Sequence, residues 1–273
     1  MKTNGHSREI SIFLILTFAF SWVVWGGAIL SGLTFNDSAG KLLYLLGACG
    51  PSILGVVLHY RYRRNENNDE FWKSLVDFRR VSPGWWILLL FAYPLIAGLA
   101  CLLSLAFGQG LPGASLLKQI IQNPVLLLPN LVQFLVAGPL AEELGWRGFA
   151  LPRMFERMGK ITASLLLSLI WWAWHLPLFF FPGSTHFKFG WFTPEFWLFL
   201  ATVVALGLVI GLAYGSNRNS LLAAVTMHFV YNLTMNLISP VGTNLRLSLV
   251  ILGWLGLAAG LAAVQRKPAI ARS

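Results

Sequence analysis

The sequence predicts an all-α polytopic membrane protein, a bundle of about eight transmembrane helices, on three observations. Of its 273 residues, 56% are hydrophobic and only 11% charged, where soluble domains carry about 25% charged residues. The chain divides into eight apolar runs, each near the roughly 20 residues needed to cross about 30 Å of hydrocarbon. The basic residues are spread unevenly over the connections between those runs.

The runs lie near Ile10–Leu33, Lys41–Tyr60, Pro83–Phe107, Asn130–Phe149, Ile161–Phe181, Pro194–Tyr214, Ser220–Ser239 and Leu245–Val264. The first lacks a small-residue cleavage site and reads as a span rather than a removable leader. With a cytoplasmic N-terminus, sixteen of the twenty Lys and Arg fall in cytoplasmic segments. Only Lys41, Lys118, Lys188 and Arg246 fall outside. That bias follows the positive-inside rule and places both termini in the cytoplasm. The net charge of +10 would suggest a nucleic-acid partner in a soluble protein. Here the basic residues flank apolar runs, so topology and anionic lipid account for them, and the bilayer is the expected partner. Cys49 and Cys101 sit inside apolar runs and read as buried thiols, not as a disulfide framework. Residues 1–273 form one integral membrane domain, with a motif-bearing core over about 123–240.

The longest polar connection runs from Arg61 to Ser82. Phe71, Trp72, Leu75, Val76 and Phe78 recur in it at roughly helical spacing, which predicts a short amphipathic helix on the membrane surface. Pro152–Lys160 is either a second such helix or a solvated loop.

Eight of the ten acidic residues lie in connections or near span ends; Glu142 and Glu143 lie inside an apolar run. A carboxylate there costs at least about 2.5 kcal/mol, so both need partners. Arg147 follows Glu143 by four residues, which sets guanidinium beside carboxylate on one helix face. Glu142 points about 100° away. Glu143 is therefore structural or orienting, and Glu142 is available for chemistry. His175 and His228 also lie inside runs, and Asn232 shares a helix face with His228. At 1.5 Å per residue, the four groups Glu142, His175, His228 and Asn232 lie roughly 12–21 Å from the cytoplasmic ends of their spans. One polar cluster at mid-depth, opening toward the cytoplasm, fits those depths. His59 reads as interfacial and His186 as part of an outer loop, and neither is given a role. Trp171–Trp174 reads as packing. The residues alone support only a buried polar site of unknown purpose, which leaves open a proton-coupled transporter with a Glu/His relay and a non-catalytic immunity or scaffold protein.

Glu142-Glu143 with Arg147, Trp171 with His175, and His228 with Asn232 resemble, in that order, the motifs of the CAAX protease and bacteriocin-processing family of intramembrane proteases. That family includes the eukaryotic CAAX prenyl endopeptidase. The resemblance is close over the second half of the chain, and Trp171 stands where Phe is commoner. It looks like a prokaryotic member, located in the plasma membrane. The resemblance implies hydrolysis of a peptide bond in a membrane-associated protein or peptide. Glu142 would be the general base that activates water. His175 would position that water or hold a metal, and His228 and Asn232 would stabilise the oxyanion or complete a ligand set. Glu143, Arg147 and Trp171 would support them. No cofactor is required on the preferred reading; the alternative is a divalent metal such as zinc on Glu142, His175 and His228.

Overall fold

Every regular element that the computed structural model describes is helical. It describes residues 2–62, 69–238 and 244–266. Arg63, Arg64, Lys267 and Arg272, counted above among the cytoplasmic basic residues, Glu66, counted among the acids in connections, and Ser239, the end of the seventh run, lie outside those residues. Eight helical stretches are long and apolar enough to cross a membrane: His6–Leu30, Ser38–Tyr62, Pro83–Ala106, Pro124–Phe155, Lys160–Phe180, Pro194–Ser216, Leu221–Ile238 and Asn244–Ala263. Each coincides with an expected run.

Three of the spans are interrupted, and the sequence explains where. The second is split into α2 (Ser38–Ala48) and α3 (Gly50–Tyr62). Pro51 lies at the break, and proline has no N–H to carry the ladder through it. The fourth is composite. After α7 (Leu127–Leu135) comes a π-helical turn at Val136–Leu140, then α8 (Ala141–Gly145), a second π-helical turn at Trp146–Ala150, and α9 (Leu151–Phe155). Pro139 lies in the first turn, where its missing N–H favours a widened register. Such turns recur at functional sites, and here one stands on either side of the Glu pair. Because α9 continues this span, part of Pro152–Lys160 is helix within it and not a separate surface helix. The fifth span is α10 (Lys160–Trp174), which ends at His175 and passes into a 3-10 turn at Leu176–Phe180 containing Pro177.

The expected amphipathic helix forms as α4 (Asp69–Val76). Phe71 faces inward while Val76 is exposed, as is Phe78 just beyond the helix. His59, near the end of the second span, is buried, its ring 4.4 Å from that of Phe71.

Small residues let the backbones approach around the Glu pair. A Cβ on Gly55 of α3 would meet the Cα of Gly145 at 2.5 Å. In α12 (Pro194–Ser216), Cβ atoms on Gly207 and Gly211 would collide with Ser168 and Ser164. The close partner of that glycine pair is therefore α10 of the same chain. Behind the Glu-bearing helix, Trp146 and Trp25 both pack on Trp174, with ring centroids 5.8 and 4.8 Å away. Around the outside, large apolar side chains such as Ile15, Val23, Leu95 and Leu128 are exposed, the surface a bilayer requires. Cys49 and Cys101 are both unpaired.

Candidate active site

Glu142 and Glu143 are adjacent in α8, yet each meets a different set of partners. Glu143 is fully buried, and its Oε1 accepts from Arg147 Nη1 at 3.0 Å. This is the expected i,i+4 pair. The same oxygen lies 2.7 Å from His228 Nδ1 on α13 (Leu221–Ile238). A carboxylate oxygen accepts, so Nδ1–H of His228 donates, and Nε2 is the ring's remaining polar atom. Glu143 thus orients an imidazole as well as neutralising a guanidinium.

Glu142 has no cationic partner in hydrogen-bond contact among the described residues. Its Oε2 accepts from the indole Nε1–H of Trp171 at 2.6 Å. The indole ring also has the Arg147 guanidinium over its face, 4.8 Å from the ring centroid, and the His228 ring edge-on at 5.3 Å. The Trp171–Trp174 run therefore divides. Trp174 packs as expected, whereas Trp171 holds a carboxylate, which a Phe at that position has no atom to do.

The end of α10 fixes His175. Its backbone N–H bonds to the Trp172 carbonyl at 3.0 Å, tightening the last turn. The carbonyl of Trp171 then takes the imidazole Nδ1–H of the same residue at 2.7 Å. Trp22 Nε1 donates to the Trp174 carbonyl at 3.0 Å. Carbonyls at a helix C-terminus lack intrahelical partners, and two of them are met here by side chains. With Nδ1 committed as donor, Nε2 of His175 is an acceptor.

Glu142, His175, His228 and Asn232 line one cavity of about 240 Å³. Gly138, in the first π-helical turn, forms part of its wall. A Cβ there would stand 2.5 Å from Asn232 Nδ2 and 3.6 Å from His228 Nε2, so both polar groups lie close to the same stretch of glycine backbone. The remaining wall is mainly apolar and aromatic, with Tyr44, Phe199, Leu206, Tyr231 and Met235 among its residues.

Two expectations are corrected. The cavity does not extend toward the basic ends of the spans. Its outer lining comes from Tyr44, Phe199 and Leu247, near the starts of α2, α12 and α14 (Asn244–Arg266), and from Thr185, His186 and Phe189 of the connection between α10 and α12. The basic ends meet at the opposite face, where Arg80, Arg153 and Arg218 line a second cavity. Hydrophobic run lengths fix depth along a helix but not the direction in which a gap between helices opens. His186 is also no bystander. Its loop folds back over the bundle and sets the imidazole in the cavity wall, stacked on His175 with centroids 5.3 Å apart. Lying in a polar connection without periodicity, it gave no signal in the sequence.

The same geometry bears on a metal. Among the described residues, no three of His, Cys, Asp and Glu converge as a ligand set. Nδ1 of His175 and of His228 is taken by a carbonyl and a carboxylate, which leaves Nε2 of each ring, and Oε2 of Glu142 is taken by Trp171.

Comparison with known proteins agrees with the motif. The family model for Rce1-like type II CAAX prenyl endopeptidases matches residues 124–234. The chain is 27% identical over 246 residues to CAAX prenyl protease 2 of Methanococcus maripaludis, an alignment covering 86% of this chain and 87% of that protein. The resemblance drawn from the three-part motif is borne out by both.

Proposed function

We propose that this chain is an intramembrane endopeptidase that hydrolyses a peptide bond in a membrane-associated protein or peptide, with Glu142 as general base. One observation carries the reading. Of two adjacent buried carboxylates, Glu143 is committed to Arg147 and His228, while Glu142 faces the cavity shared with His175, His228 and Asn232.

Each residue then has a task. Trp171 holds Oε2 of Glu142, leaving Oε1 to take a proton from water. The acceptor Nε2 of His175 receives the water's other proton as a hydrogen bond and so fixes its orientation. The hydroxide oxygen bonds to the scissile carbonyl carbon, and the carbonyl π-electrons move to oxygen. Asn232 Nδ2 donates to that oxyanion. His228 does the same from Nε2 when both ring nitrogens carry protons, with Glu143 opposite the charge. The C–N bond breaks as Glu142 returns its proton to the departing amine. Preorganised donors in a site shielded from bulk water are the largest usual source of such acceleration. The scheme uses no metal.

The name of the archaeal relative supplies the first probe, a prenylated peptide presented in detergent or liposomes. Purified chain cleaves it, and Glu142→Gln lowers kcat by about 10²–10⁴-fold, the range for losing a general base. A strong chelator leaves the wild-type rate within about two-fold, the scatter of such an assay set against the several kcal/mol a catalytic metal supplies. Wild-type turnover by the Gln variant ends the assignment of Glu142, and loss of activity in chelator ends the metal-free scheme.

A further inference from the structure

His186 is a polar group at the site to which the mechanism gives no task. It lies on the short helix α11 (Thr185–Phe189), which is held at both ends. Ser184 Oγ accepts from the Phe187 N–H at 3.0 Å and donates to the Leu178 carbonyl at 2.9 Å. Thr193 Oγ1 donates to the Phe189 carbonyl at 2.5 Å. Gly190 closes the helix at φ 79°, a conformation that favours glycine. The imidazole is fixed in turn by rings on several sides: His175 stacked at 5.3 Å, Phe199 edge-on at 4.8 Å and Phe179 edge-on at 5.5 Å.

A ring held so tightly would ordinarily have both nitrogens satisfied. Nδ1 of His186 is instead shielded from solvent with no hydrogen-bond partner among the described residues. A buried N–H without an acceptor is rarer and costlier than an acceptor without a donor. The proton therefore resides on Nε2, and His186 is a donor. Burial, with the neighbouring His175 imidazole adding to it, holds this group well below the usual imidazole range. The ring is neutral at neutral pH and acts through a hydrogen bond, not a charge.

The two stacked imidazoles thus have opposite polarity. His175 presents an acceptor and His186 a donor to one largely apolar cavity. A peptide entering it leaves water behind, and each carbonyl that loses its hydrogen bonds and finds none costs on the order of 1–3 kcal/mol. We infer that His186 is a substrate-binding residue whose Nε2–H donates to a backbone carbonyl of the peptide beside the scissile bond. It recognises the extended backbone and not a particular side chain, and it orders the peptide over His175 and Glu142.

The inference rests on the endopeptidase reading, so its test separates binding from turnover. A fluorescent prenylated peptide is titrated into chain carrying Glu142→Gln, alone and with His186→Phe or His186→Gln. The same His186 substitutions are assayed for cleavage with Glu142 intact. Phe keeps the ring packing and loses the donor; Gln restores an N–H. The Phe variant weakens Kd and raises KM by about 5–10-fold, the worth of one neutral hydrogen bond, with kcat within about two-fold. Gln recovers most of the loss, and thermal unfolding in detergent shows both variants folded. A Kd for the Phe variant within two-fold of its parent overturns the inference, as does a Gln variant no better than Phe. Peptide that binds with the expected differences but is never cleaved leaves His186 standing and sinks the endopeptidase reading. Peptide that does not bind at all sinks both.

Discussion

The two ends of this helical bundle use the same residue types in opposite ways. At the basic end, acidic side chains meet basic ones. Arg153 Nε donates to Glu9 Oε2 at 2.6 Å, Arg80 pairs with Glu70 at 2.5 Å and His6 with Glu156 at 3.0 Å. The contacts of Arg153 with Glu9 and of His6 with Glu156 join segments far apart in the chain, and Arg80 is shared by Glu70 and Asp77. At the cavity, Glu142 is held by an uncharged indole donor, and the imidazoles of His175 and His228 are each hydrogen-bonded through Nδ1. A carboxylate answered by a cation is committed. One answered by a single neutral donor is oriented and still free to accept a proton. Clamping one atom and leaving its neighbour open marks a place for chemistry, and complete pairing marks a place for stability.

That contrast breaks most visibly at the two glutamates that represent it. Glu142→Gln removes cleavage by about 10²–10⁴-fold with little change in stability. Glu9→Gln leaves kcat within about two-fold, because it withdraws one charged hydrogen bond far from the cavity, and lowers the thermal midpoint in detergent by about 2–4 °C per kcal/mol lost. Equal effects of the two on turnover would erase the distinction.

Gly138→Ala comes next. Its methyl would stand 2.5 Å from Asn232 Nδ2 and so displace the amide. Misplacing a reacting group by about 1 Å costs about 10²-fold, so kcat falls by that order, while the midpoint moves little if the π-helical turn is kept. Near-normal kcat would mean that Asn232 does not serve the reaction from this position.

Trp171→Phe sharpens the comparison with a smaller change. The ring survives, and with it the contacts to Arg147 and His228; the bond to Glu142 Oε2 is lost. A charge-assisted hydrogen bond is worth about 1.5–3 kcal/mol. Because bulk packing is preserved, kcat falls by about ten-fold, the low end of that range, with KM steady. A change confined to KM would make Trp171 part of the binding surface instead.

The smallest effect on chemistry belongs to Gly207→Ala. The added methyl would collide with Ser168 in α10. Overpacking a helix contact costs about 1–3 kcal/mol, read as a lower midpoint, while KM stays within about two-fold.

What was legible in the sequence follows from range. The Glu143–Arg147 pair spans four residues of one helix, so local geometry dictates it. The eight spans were legible because hydrocarbon thickness sets their length. The bond from His228 to Glu143 joins residues 85 apart, and that from Trp171 to Glu142 joins residues 29 apart. Both depend on how helices rotate and pack, which composition does not encode. His186 was hidden for another reason: a connection has no periodicity from which to infer the direction of a side chain.

By itself, then, the sequence determined an all-helical membrane protein, the number of its spans and which ionisable groups would be costly to bury. Those outcomes follow from hydrophobicity and from helix geometry within a single segment. Only the tertiary structure decided that His228 joins Arg147 on Glu143, that an indole holds Glu142, and that the cavity reaches the end opposite the basic residues. Those are matters of contact between segments, fixed by glycine-lined helix crossings and by side-chain hydrogen bonds across them.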